Sequence, residues 1–286
     1  MPTIRIITDS ACDLDWEMIQ QAGIEIIPLH VTFGAETYKD MMEITRERFY
    51  EMLARAKELP RTSQPSPSDY VEIYQKDLAE ADELLVLTLS SGLSGTYNAA
   101  SLARGMLQAE QQERVWVFDT KAASVGQGLL ALEAARRVKA GETTAEIVKA
   151  LESFRDRLAS VFTLDTLVYL EKGGRISKVQ AMVGTILNVK PILQLDEAGR
   201  IVPREKVRGR KQALQRLLDI MAAEGDHLED QVIGICHARA AQEAEETAAE
   251  IRRRFRVRDV VIGEISAIIG THVGPGCFAV FYQRKA

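Results

Sequence analysis

Short apolar runs that each hand over to a segment of helical periodicity fill the first half of this chain, and they leave few folds open. "TIRIITD", "ELLVLTL" and "RVWVFDT" are too short for buried helices and read as strands. "LDWEMIQQAG" follows the first of them, a stretch rich in Ala, Leu and Arg the second, and "GLLALEAARRVKAG" the third. Strand alternating with helix is the pattern of a mostly parallel sheet covered by helices. "IEIIPLHVTF" reads as one further strand, and "RTSQPS" as a Pro/Ser loop. Helix starts are marked by Thr45, by Ser66 followed by Pro67, and by the threonines of "TTAEIVKALESFRDRL".

The second half follows a different rhythm. "SVFTLDTLVYLEKGG" is strand-like and then turns, and "SKVQAMVGTILNV" is helical with Ser177 as its cap. "KPILQLDEAGRIVPREKVRG" has the form of a hairpin turning at "DEAG". Two helices and a strand, "QVIGICHA", come next, and "DVVIGEISAIIGTHVGPGCFAVFYQR" closes the chain with further strands. The expected fold class is therefore α/β with two domains: a mostly parallel sheet flanked by helices over residues 1–158, and an α+β unit with a mixed or antiparallel sheet over 159–286. No linker rich in Pro, Gly or Ser separates them, so they are expected to pack closely.

Composition narrows the function classes. Hydrophobic residues make up 46% of the 286 and charged residues 27%, enough for a substantial core. The net charge of -5 argues against a nucleic-acid surface, which needs clustered excess Lys or Arg. The dense basic stretch "IRRRFRVR" continues an acidic helical segment and so matches the dipole of a helix C-terminus. Cys12, Cys236 and Cys277 are odd in number and lack metal-ligand spacing, which points to reduced thiols and no metal. The first residues lack the pattern of a signal peptide, and no apolar run reaches the roughly 18 residues of a membrane span. A cytoplasmic protein is expected, with transient contact at a membrane surface left open.

Ligands of open α/β sheets sit beyond the carboxyl ends of the strands, where helix N-termini attract anions. "TDSACD", "TSQPS" and "SSGLSGTYN" fall at such places. Their hydroxyls would serve equally well as ordinary N-caps. The Gly-Ser turn lacks the P-loop lysine, the GxSxG elbow and the GxGxxG fingerprint. "LEKGGRISKVQ" offers Arg175 to an anion or to a backbone carbonyl, or is simply a turn. "GTHVGPG" places His272 in a Gly/Pro-rich loop between apolar strands, while His237 reads as structural. Arg204, Arg208 and Arg210 lie near a hairpin end and, if close to His272, would form a surface for a phosphate or an acidic partner.

"ITDSACDL", "RTSQPS", "SSGLSGTYN", "LEKGGRIS", "KPIL" and "THVGPG" occur in that order. In this the chain resembles the DegV family of bacterial fatty-acid-binding proteins, from Thr8 to Gly276. The resemblance implies two domains with a long-chain fatty acid held between them, and no cofactor. It also implies that some members present the acid to a separate ATP-dependent fatty acid kinase, which converts the carboxylate to an acyl phosphate. Carried over motif by motif, Thr62, Ser94 and Gly95 would bind the carboxylate. Arg175, Arg208 and His272 would lie at the head-group or partner end. Apolar walls for the tail are sought in "IIPLHVTF", "VFTLDTLVYL" and "MVGTILNV", stretches that also read as ordinary core. The competing reading is a self-sufficient Ser-dependent hydrolase or phosphotransferase built on Ser94 and His272, with Asp9 or Asp119 as the orienting acid. No nucleophile elbow, Walker motif or zinc motif accompanies those residues.

Overall fold

The structure is a computed structural model and describes residues 2–175 and 188–285. β1 (Ile4–Asp9) turns through a short 3-10 segment (Ser10–Cys12) into α1 (Trp16–Ala22) and β2 (Ile24–Ile27). β3 (His30–Phe33), β4 (Glu36–Lys39), α2 (Arg46–Arg55) and β5 (Arg61–Ser63) follow. Next come α3 (Pro67–Asp77), β6 (Glu83–Thr88), α4 (Thr96–Gly105), α5 (Ala109–Gln112), β7 (Val115–Asp119), α6 (Val125–Lys139) and α7 (Thr144–Arg157). The second half holds β8 (Leu158–Thr163), α8 (Val168–Lys172), β9 (Val189–Leu195), β10 (Ile201–Arg208), α9 (Arg210–Glu224) and β11 (Val232–His237). It ends with α10 (Ala241–Phe255), β12 (Asp259–Glu264), α11 (Ala267–Val273) and β13 (Phe278–Gln283).

The parallel sheet runs β2-β1-β6-β7. Its side chains alternate strictly between two cores, as a strand's period of two requires. Ile7, Leu84 and Val86 pack with Tyr70, Tyr74 and the alanines of α4. Ile4, Ile6, Leu85 and Leu87 face the other way and join a core that also holds Leu130 and Ala134 of α6 and Phe162, Cys236 and Phe281 of the second half. The second sheet runs β10-β9-β8-β13-β11-β12; only its β11–β12 pair is parallel. Its far face packs on α9 and α10. α6 is thus sandwiched between the two halves. A Cβ on Gly126 would stand 2.7 Å from the Phe281 ring, and one on Gly234 2.8 Å from Val125, so glycine permits this approach.

The expected caps are made. Thr45 and Thr143 accept from the third residue of their helices, and Ser66 forms a capping box with Asp69 ahead of Pro67. α10 ends in Arg252, Arg253 and Arg254 as the dipole favours. Other expectations are corrected. "IEIIPLHVTF" is two strands in two sheets, broken at Pro28, which has no N–H to continue a ladder. Thr62 lies on β5, paired with Val31, and not in a loop. His272 lies in the last turn of α11, where the apolar residues around Gly270 keep helical spacing until Gly274 closes the helix with a φ of 69°. "TLVYLEK" forms α8. The helix expected over residues 177–189, with its cap Ser177, falls almost wholly outside the described residues, and its last residue opens β9.

The hairpin β9–β10 reaches across to the first half. Ser90 Oγ donates to Gly199 O at 2.9 Å, and Gly199 has a φ of 67°. A Cβ there would stand 2.0 Å from Ser90 Oγ. Gly199→Ala should therefore destabilise the fold by about 2–4 kcal/mol, the sum of a left-handed backbone penalty and an overpacked contact. Urea unfolding of the purified variant checks this.

Candidate functional site

Between the parallel sheet's carboxyl edge and the second sheet lies a slot walled by Leu29, Leu89, Leu93, Phe162, Leu170, Ile201, Ile268 and Phe281, among others. The polar groups on its wall are neutral except for Arg175. The sought apolar walls are partly present: Leu29 comes from "IIPLHVTF", and Phe162 and Leu170 from "VFTLDTLVYL". "MVGTILNV" falls largely outside the described residues.

Shared contacts gather several of the polar groups. Thr62 Oγ1 and His272 Nε2 are 2.8 Å apart, although 210 residues separate them. Ser94 Oγ lies 2.8 Å from Thr96 Oγ1, just before α4 begins. Gly95 lies against Gln64, whose Nε2 would be 2.6 Å from a Cβ at that position. Arg175 spans from the α8 turn to the hydroxyl turn, donating to Gly173 O at 2.6 Å and to Leu93 O at 3.3 Å. Five of the six residues singled out in the sequence thus converge on the slot. Arg208 does not. It pairs with Val189 at the end of the edge strand β10, and its exposed guanidinium makes no hydrogen bond or ion pair among the described residues.

The other hydroxyls of the turn are committed to structure. Ser90 Oγ holds Gly199 O, and Ser91 Oγ donates to Asp119 Oδ2 at 2.5 Å. Within "SSGLSG" this leaves Ser94 as the hydroxyl on the slot wall. Among the described residues the three arginines do not act as one surface: Arg204 pairs with Glu224, and Arg210 pairs with Glu243 while donating to Gly276 O. His237 is buried and accepts from Ala240 N through Nδ1 at 3.3 Å, a structural role.

Electrostatics keep His272 neutral. Burial and the nearby Arg175 charge hold its imidazole down at about 4. Its Nδ1 is buried and has no hydrogen-bond partner among the described residues. If Nε2–H donates to Thr62, the Thr62 hydroxyl hydrogen is free to point into the slot. Asp9 and Asp119 are engaged elsewhere. Asp9 accepts from Ala11 N and Leu89 N, and burial pushes its carboxyl up to about 6. Asp119 holds Ser91 and the Lys121 N–H. A catalytic triad needs the imidazole on the nucleophile and a third group on its other nitrogen; here the imidazole is on Thr62, and among the described residues the other nitrogen is bare.

Sequence reasoning missed two acids that shape this site from behind. Asp13 Oδ1 accepts from Ser266 N at 2.9 Å, and Asp40 Oδ1 from Ala267 N at 3.2 Å. Asp13 sits in "TDSACD", so the motif was noticed, but it serves the start of α11 and not the slot. Asp40 carried no signal. Burial raises both carboxyls, that of Asp40 to about 7 with Asp13 as the neighbouring charge.

The described residues form three sheets, the third running β4-β3-β5, and the apolar slot with its neutral polar groups has the form of a small-molecule pocket. Residues 3–285 match the family described as uncharacterised proteins of the DegV family, and the chain belongs to it. It is 34% identical over 285 residues to a DegV domain-containing protein of Caldanaerobacter subterraneus subsp. tengcongensis, with 100% of both chains covered. Among solved structures, a fatty-acid-binding DegV family protein from Thermus thermophilus superposes with a TM-score of 0.91 at 32% identity, over 99% of this chain and 100% of that one. A DegV family protein from Ruminococcus gnavus refined with vaccenic acid gives 0.90 at 31% identity, over 97% and 99%. Among the described residues, no helix is long and apolar enough to cross a membrane.

A depressed imidazole has a definite pH signature. The unfolded chain takes up the His272 proton near 6.5, the folded chain only near 4. The stability this represents is complete above about 6.5 and is lost as pH falls toward 4. The raised carboxyls of Asp9 and Asp40 act in the opposite sense, binding protons more tightly when folded. The difference between the wild type and His272→Gln isolates the histidine. Urea unfolding at pH 7.5 and 5.0 should show wild type losing more stability on acidification than the variant.

Proposed function

We propose that this chain is a cytoplasmic carrier of one long-chain fatty acid. The acid lies between an N-terminal unit (1–158) and a C-terminal unit (159–286). Its carboxylate takes hydrogen bonds from Thr62 and Ser94 beside Gly95, and its tail fills the slot. The observation that carries this reading is the Thr62–His272 contact at the polar end of an otherwise apolar wall. Tail burial contributes about 0.8 kcal/mol per methylene, so an apolar slot supplies most of the affinity. Hydroxyls fix the head group without neutralising it and leave a carboxylate oxygen accessible to an incoming phosphoryl group. Arg175, half-buried on the slot wall, supplies the nearby positive charge. The Thermus and Ruminococcus relatives support the ligand class.

The second part of the proposal is that the carrier presents the acid to a separate fatty acid kinase. Phosphoryl transfer needs positioned phosphates and usually Mg²⁺, and no nucleotide-binding motif stands in this sequence. The exposed Arg208 is assigned to the partner side, His272 to the rim between ligand and partner. The hydrolase reading is disfavoured because His272 contacts Thr62 in place of Ser94 and, among the described residues, has no orienting acid.

Native mass spectrometry of the purified chain, followed by lipid extraction, should find one long-chain fatty acid per chain; a chain that neither retains nor takes up such an acid contradicts the proposal. Ser94→Ala removes one donor to a charged group, about 1.5–3 kcal/mol, and should weaken binding roughly tenfold to a hundredfold while the tail stays buried. With fatty acid, ATP and Mg²⁺, the chain alone should form no acyl phosphate detectable by hydroxylamine trapping. Adding a bacterial fatty acid kinase should produce it, and Arg208→Ala should slow transfer while fatty-acid binding holds.

A further inference from the structure

We propose that Asp40 is a positioning residue for the head-group site, acting through α11 on His272; this rests on the fatty-acid reading above. α11 belongs to the second half of the sequence, yet its ends are held by the first half. At its start, the Ser266 and Ala267 N–H groups, which an α-helix leaves unpaired, are accepted by Asp13 Oδ1 and Asp40 Oδ1 at 2.9 and 3.2 Å. Just before it, Tyr50 Oη donates to Ile265 O at 3.2 Å. At its end, His272 meets Thr62 at 2.8 Å.

The helix between these points has little freedom. A Cβ on Gly270 would stand 2.6 Å from Phe49 Cε1 and 3.0 Å from Tyr50 Oη, so α11 is seated against α2 without spare room. Asp40 is itself fixed: it is buried, and its N–H donates to Leu29 O at 2.9 Å, beside a slot residue. Removing its side-chain acceptor would leave a buried Ala267 donor unsatisfied, and α11 would re-seat to find a partner. One end of a short rigid helix cannot re-seat without turning the other. His272 would then lose its register with Thr62, although Asp40 touches neither the slot nor the imidazole.

The test is NMR of the His272 imidazole nitrogens, whose shifts report tautomer and hydrogen bonding, with the dissociation rate of bound oleate measured on the same samples. In Asp40→Ala, folded by circular dichroism, the His272 shifts should move and oleate should leave about tenfold faster, the loss of about one buried hydrogen bond. Asp40→Asn keeps an acceptor for Ala267 N and should restore both readouts to near wild type. Wild-type shifts and rates in folded Asp40→Ala would overturn the proposal, as would equal losses in both variants, which would make the charge the cause. If Asp40→Ala does not fold, Gly270→Ala provides the second perturbation, since its methyl pushes α11 off Phe49; unchanged His272 shifts there would refute the strut. Should wild type bind no oleate, the carrier reading fails by itself, and the imidazole shifts alone still decide the role of Asp40.

Discussion

A hydrogen bond between a threonine and a histidine 210 residues apart joins the two halves of this molecule at the place where a head group would sit. The bond depends on the rest of the structure. Thr62 is held on β5 by pairing to Val31 of β3, so the three-stranded sheet β4-β3-β5 sets its position. His272 is held by α11, whose N-terminal N–H groups end on two buried carboxylates of the first half. Burial and the Arg175 charge then keep the imidazole neutral. A neutral ring can share a proton with a hydroxyl without bringing a second full charge into an apolar wall.

The same geometry divides labour between tail and head. The large core shared by both halves continues into the slot, so residues that hold the halves together also line it. Phe162, Cys236 and Phe281 appear in both roles. Close packing of α6 through Gly126 brings the Phe281 ring against it. One polar group on the slot wall is tied up, since the Ser124 hydroxyl donates to Asp13; outside the wall, those of Ser90 and Ser91 hold loops.

Local chemistry made much of this legible in advance. Ser66 with Pro67, and Thr45 and Thr143, cap helices through contacts within a few residues, and such contacts are written in the sequence. The alternation of strand and helix in the first half and the hairpin "KPILQLDEAGRIVPREKVRG" were legible for the same reason. The motifs around Thr62, Ser94, Arg175 and His272 marked groups that the fold does bring together. What was hidden depends on distance. β5 is three residues long and exists only because β3 offers it an edge. α11 is a seven-residue helix interrupted by Gly270, too short for periodicity to separate from a loop. Asp13 and Asp40 act on backbone groups 253 and 227 residues away, and no local pattern encodes that. Arg204 and Arg210 looked like a charged surface with Arg208 because their partners, Glu224 at the end of α9 and Glu243 on α10, are distant in sequence.

The central claim is that the neutral donors at the Thr62–His272 end of the slot receive a carboxylate. A crystal structure of the chain with a bound long-chain fatty acid tests it most directly. The account predicts carboxylate oxygens within hydrogen-bonding distance of Thr62 Oγ1 and Ser94 Oγ, with the alkyl tail running along Phe162 and Phe281. An acid bound in the reverse direction, or with its carboxylate touching neither hydroxyl, would contradict it.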